Sequence, residues 1–101
     1  MVKTIVNLSD FKKQLTSAED KLVVACFYWS WCKQYEYEKQ RSDGKVIFLK
    51  INLEDCDDWP QNYYGVYDKC FPTFLYFKDK VKLHKSMDPN KLKQLVKKYV
   101  S

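Results

Sequence analysis

The stretch that most constrains the fold is "KLVVACFYW", residues 21 to 29. A strand with one wet face alternates apolar and polar side chains, whereas this one is apolar at odd and even positions alike. Such a strand belongs in the middle of a sheet covered by helices on both sides. "KVIFLKINL", residues 45 to 53, supplies a second buried strand. Between the two, residues 34 to 41 are polar and helix-compatible, and "SDG" at 42 to 44 punctuates them. Strand, helix, strand in that order implies a parallel pair.

The flanks fit the same plan. "KTIVNL", residues 3 to 8, reads as a first strand, after which Ser9 or Asp10 would cap a helix with Phe11 and Leu15 on one face. Residues 57 to 64 read as a short helix with Pro60 in its first turn, anchored by Trp59. "TFLYFKDKVKLHK", residues 73 to 85, predicts two strands around Asp79 and Lys80, a hairpin without the usual glycine. "DPNKLKQLVKKYV" opens with Asp88 as cap and Pro89 at the first helical position, and spaces Leu92, Leu95, Val96 and Tyr99 along one face.

A chain of 101 residues with 46% apolar content is expected to form one domain spanning 1 to 101. The first fifteen residues lack the apolar core of a signal peptide, and no apolar run approaches the ~18 to 20 residues of a membrane span. A soluble, cytoplasmic protein with no membrane association is the expectation, with its four cysteines reduced. The net charge of +5 is uneven: from Lys78 onward there are eight lysines against Asp79 and Asp88, while "LEDCDDW" is acidic. That asymmetry favours steering of an acidic protein partner. Nucleic acid is disfavoured by the single arginine.

Two stretches carry chemistry. "FYWSWCKQYEYEK", residues 27 to 39, runs from the apolar strand through a Trp-Cys pair toward a helix, and "CFPTFLYFK" precedes the hairpin. In that order and on that strand pattern, these segments resemble the active-site turn and the cis-proline segment of thioredoxin, and the match spans the chain. The resemblance implies a thioredoxin fold, α/β, with a central mixed five-stranded sheet flanked by helices on both faces. It also implies thiol-disulfide exchange in redox homeostasis, with Cys32 as nucleophile in a motif of Trp31, Cys32, Lys33, Gln34 and Tyr35. Phe71, before a cis Pro72, would present substrate beside it, with Trp29, Trp31, Tyr35 and Tyr67 completing an aromatic rim.

Three departures from the family stand out. Where thioredoxins carry C-G-P-C, this chain has Cys32, Lys33, Gln34 and Tyr35, so the resolving cysteine is lost. Where they bury an aspartate six residues before the nucleophile, it has Cys26. The segment after Cys32 is also shorter than usual by roughly two turns of helix, at ~3.6 residues each, and "YYGVYDKCFP" is longer by a few residues than the usual connection.

A helix N-terminus and the adjacent Lys33 would lower the pKa of Cys32, favouring the attacking thiolate. A phenol does not displace sulfur, so Tyr35 cannot resolve a mixed disulfide, and an external thiol such as glutathione would have to. Two functions stay open: a monothiol exchanger acting on protein thiols and disulfides, or a binding module in which Cys32 is a relic. Cys26, within the most apolar strand, reads as core packing, its rival use being a substitute resolver. Cys70, two residues before Pro72, is expected at the surface, as an inert thiol or the link of a disulfide dimer. Cys56 between acids reads as structural, and His84 as a solvated residue of an edge strand. No pair of cysteines or histidines has metal-binding spacing, so no metal or resident cofactor is expected.

Overall fold

The computed structural model describes residues 2 to 28, 45 to 56, 58 to 60 and 73 to 100. Its elements are β1 (Val2–Ile5), α1 (Leu8–Ser17), β2 (Leu22–Tyr28), β3 (Val46–Asn52), β4 (Thr73–Lys78), β5 (Val81–Ser86), a 3₁₀ turn (Pro89–Lys91) and α2 (Leu92–Tyr99). The five strands form one sheet in the order β1-β3-β2-β4-β5. β1 and β2 flank β3 in parallel, whereas β4 runs antiparallel to β2 and β5 antiparallel to β4. The sheet is therefore mixed, with β2 at its centre.

The two-faced apolar character of β2 is used in full. Val23, Ala25 and Phe27 enter one core with Phe11 and Leu15 of α1 and Leu75 and Phe77 of β4. Leu22, Val24 and Cys26 enter the other, with Phe74 and Tyr76 of β4 and Leu92, Leu95 and Val96 of α2. Among the described residues one helix covers each face, and every β2 side chain but Tyr28 is buried. Burying a side chain of this size contributes about 1.5 to 3 kcal/mol.

Local starts and stops follow side-chain hydrogen bonding. The strand expected over residues 3 to 8 ends at Ile5, because Asn7 and not Ser9 or Asp10 caps α1. The Asn7 side chain accepts from Asp10 N at 2.7 Å, which brings the helix start forward to Leu8 and leaves Asp10 in its positive first turn. At the other end, Asp88 Oδ1 accepts from Asn90 N at 2.9 Å, but this caps a 3₁₀ turn, and α2 itself begins one turn later with no side-chain cap. The hairpin between β4 and β5 turns at Asp79 and Lys80 as expected, both with positive φ, 52° and 69°. Residues 58 to 60 are not helical, and the remainder of the helix expected over 57 to 64 lies outside the described residues, as does the one over 34 to 41. Trp59 does anchor its loop, packing edge-on at 5.1 Å from Phe11 and 5.0 Å from Phe27.

Candidate functional site

Cys32, with Trp31, Lys33, Gln34 and Tyr35, lies outside the described residues, as do Trp29, Tyr67, Cys70, Phe71 and Pro72. What is described is the scaffold on either side of them. β2 ends at Tyr28 and β4 begins at Thr73, and the two strands are hydrogen-bonded neighbours with Phe27 paired to Thr73. β2 thus ends and β4 begins at the same end of a single antiparallel ladder. Thr73 is fully buried at that end, and Leu53 N donates to Tyr28 O at 3.3 Å, tying the β3 exit to the β2 exit.

Cys26 sits one strand turn below that end. It is 9% exposed, carries a reduced thiol, and pairs in register with Lys50 of β3 and Phe74 of β4. Around it on the α2 side are Val24, Phe48, Phe74 and Tyr76. Among the described residues this is a core position, where a thiol packs as a small apolar group.

The sequence reading passed over Tyr76. Its register partner is Val24, so it is the diagonal neighbour of Cys26 on the same sheet face. It is completely buried, and its hydroxyl has no hydrogen-bond partner among the described residues. Burial, and then the adjacent Cys26 thiol, push its pKa well above the ordinary phenol value. The available signal was a tyrosine within "TFLYF", a run otherwise apolar on both faces.

His84 departs from expectation. β5 is an edge strand, but His84 is half-buried, its ring 6.0 Å from that of Tyr76 and 6.2 Å from that of Tyr99. The three rings join β4, β5 and the end of α2, and Lys98 Nζ lies 5.3 Å from the Tyr99 ring. Cys56 is structural, as its surroundings require: it is 3% exposed, and its Sγ donates to Asp58 Oδ1 at 3.7 Å. The same carboxylate oxygen accepts from Leu8 N at 2.9 Å, which fastens the loop after β3 to the start of α1.

The C-terminal lysines divide by environment. Lys80, Lys82, Lys91, Lys93, Lys97 and Lys98 are exposed, while Lys78 and Lys85 are half-buried. Lys78 Nζ donates to Tyr99 O at 3.3 Å and so satisfies a carbonyl at the end of α2. Among the described residues no three histidine, cysteine or acidic side chains converge as a metal site would require, and no helix is long and apolar enough to cross a membrane.

The thioredoxin family model matches residues 2 to 101. A thioredoxin of Ophiophagus hannah is 32% identical over 99% of this chain and 100% of its own length. A thioredoxin of Gallus gallus is 34% identical over 92% of this chain and 91% of its own. Among solved structures, Fasciola hepatica thioredoxin superposes with a TM-score of 0.80 over 96% of this chain and 98% of that one, at 17% identity, a likeness of fold. A family match along the chain, relatives above 30% identity and a shared mixed five-stranded sheet lead to one conclusion: the chain belongs to the thioredoxin family.

Proposed function

We propose that the protein carries out thiol-disulfide exchange with protein disulfides in the cytoplasm, using Cys32 as its sole nucleophile. The observation that supports this most directly is the pairing of Phe27 with Thr73. Chain continuity tethers Cys32, four residues beyond Tyr28, and Pro72, adjacent to Thr73, to that same end of the ladder. Four residues reach at most about 14 Å.

The step is a nucleophilic substitution at sulfur. The Cys32 thiolate forms a bond to one sulfur of the substrate disulfide, the substrate S–S bond breaks, and the departing thiolate takes a proton from solvent. In the sequence, Tyr35 stands where thioredoxins carry their second cysteine. A second substitution by glutathione then releases reduced substrate and leaves Cys32 glutathionylated, and a further thiol regenerates it with formation of glutathione disulfide. Trp31, Phe71 and Pro72 would hold the substrate peptide, and Lys33 would favour the thiolate. Cys70 is the candidate link of a disulfide dimer, with Cys26 a buried reserve thiol. An acidic partner would be drawn by the lysines of β5 and α2.

A second reading is favoured by the surroundings of Cys26. Its register partners are Lys50 and Phe74, its cluster is apolar apart from the Tyr76 phenol, and among the described residues no carboxylate is buried that could relay protons to Cys32. On this reading the protein binds peptides and performs no exchange. Incubation with oxidised insulin, with and without glutathione, followed by intact-mass measurement, separates the two. A mixed disulfide that is lost in Cys32→Ser and released by glutathione establishes the exchanger. Absence of any adduct, with Cys32 alkylated no faster than a free thiol across pH, establishes the binder.

A further inference from the structure

We infer that the β5 edge of the sheet is a docking site for an extended acidic segment of a partner protein, which adds to it as a sixth strand. The inference rests on the acidic-partner reading above only for the sign of the partner's charge, and it assigns that partner a site and a binding mode.

β5 is the last strand in the order, so the N–H and C=O groups on its outer side between Val81 and Ser86, broken in their alternation where Leu83 has no β4 partner, have no strand beside them among the described residues. Six residues at about 3.3 Å each offer an edge roughly 20 Å long. The edge is also unusually apolar for one facing water: Val81 is 59% exposed, Leu83 38% and Met87, one residue past its end, 47%. Backbone groups that bind any strand thus lie beside apolar side chains that reward an apolar one.

Charge selects the occupant. Between Lys78 and Asp88 the chain carries four lysines against two aspartates. One of those aspartates, Asp88, is exposed but engaged locally, accepting from Asn90 N as it caps the 3₁₀ turn. Lys80 and Lys82 project into solvent, and Lys85 is half-buried. A second copy is disfavoured: antiparallel pairing of two β5 edges about their midpoint sets Lys82 of each copy opposite Lys85 of the other, and like charges directly opposed destabilise a ladder. The same lysines attract a strand bearing glutamate or aspartate at alternate positions. A strand irregularity also falls here, where the β4–β5 register shifts between Tyr76 and Phe77. Lysines on an edge guard it against self-association. Together they leave an acidic, apolar-alternating strand as the compatible partner.

The probe is a fluorescein-labelled hexapeptide of alternating glutamate and valine, read by anisotropy, with amide hydrogen exchange of the full chain read in parallel. Binding that slows exchange at β5 amides and falls roughly tenfold in Lys82→Glu/Lys85→Glu is expected, with Lys93→Glu/Lys97→Glu, whose two lysines are exposed on α2, leaving it within twofold. Should the β5 double variant fail to fold, Leu83→Asp serves in its place. A lysine-valine hexapeptide that binds as well would overturn the inference. So would peptide binding without protection at β5, an outcome that leaves electrostatic steering of acidic partners standing. Absence of binding at low salt overturns the docking site and the steering together, and self-association through β5 overturns the assignment of the occupant.

Discussion

The two faces of the sheet differ in what they enclose. The α1 face is closed mainly by rings and hydrocarbon, with the Cys56 thiol and the Trp59 indole N–H among them: Phe11 meets Phe27 at 6.2 Å, Phe77 at 5.9 Å and Trp59 at 5.1 Å. The α2 face is built on the same strands, but Cys26, the Tyr76 hydroxyl and, at its rim, His84 lie among the aliphatic side chains. Both faces thus hold a buried thiol and a buried side-chain polar atom, but only on the α2 face is that atom a phenol's, joined at the rim by an imidazole, groups that pH can address. β2 contributes to both, because its side chains alternate between them.

The largest effect is expected where packing is densest. Phe27 is fully buried at the centre of the α1 face, and Phe27→Ala should cost about 3 to 5 kcal/mol through lost transfer energy and a cavity. A urea titration by tryptophan fluorescence measures it. A loss below about 1 kcal/mol would mean that the α1 face can collapse, and the contrast between the faces would go with it.

On the opposite face the sign reverses. The Tyr76 hydroxyl is buried without a partner among the described residues, so Tyr76→Phe removes a desolvated polar atom and should stabilise the protein by about 1 to 2 kcal/mol. Linkage provides a second readout. The folded phenol holds its proton to higher pH than the unfolded one, so the stability contribution is intact below pH ~10 and declines as pH rises above it. In Tyr76→Phe that part of the alkaline decline should vanish. If the substitution proves destabilising, with an unchanged alkaline slope, the hydroxyl has a partner.

How much of this contrast could be read from the amino-acid order depended on whether the cause was local. Strand β2 was legible as central because the need for cover on both faces is written in its own side chains, and the βαβ order then made it parallel to β3. Asn7 was not, since "KTIVNL" continues an alternating pattern through it and only the hydrogen bond to Asp10 N reveals the cap. His84 looked solvated among lysines because the ring that shelters it, Tyr99, lies fifteen residues further along the chain. The Tyr76 hydroxyl likewise lost access to water, and has no partner among the described residues, through packing contributed by β2 and α2. The Trp-Cys pair and the proline segment were legible as motifs, and the structure adds the strand pairing that holds their flanks together.

The helices that cover the two faces also start differently. α1 has a side-chain cap at Asn7, whereas α2 is entered through a 3₁₀ turn and has none. Asn7→Ala should therefore cost about 1 kcal/mol. The loss should appear as faster hydrogen exchange in the first turn of α1, with α2 unaffected. Equal acceleration in both helices would show that the faces fold and open as one unit.

The smallest effect concerns the hairpin at the rim of both faces. Asp79 and Lys80 both sit in the left-handed region, with φ of 52° and 69°, where a side chain costs about 1 to 2 kcal/mol. Aspartate tolerates that region because its short polar side chain bonds locally, but lysine has no such compensation. Lys80→Gly relieves the strain at a cost of about 0.5 to 1 kcal/mol in unfolded-chain entropy, leaving a net gain of roughly 0.5 kcal/mol. In a domain of this size that raises Tm by about 2 to 4 °C, within reach of calorimetry. The same exchange at Glu19, whose φ of 56° follows the end of α1, should give a comparable gain. A gain at Glu19 but not at Lys80 would mean that the lysine supports the β5 edge in a way that offsets its backbone strain, which links the hairpin to the charge that guards that edge.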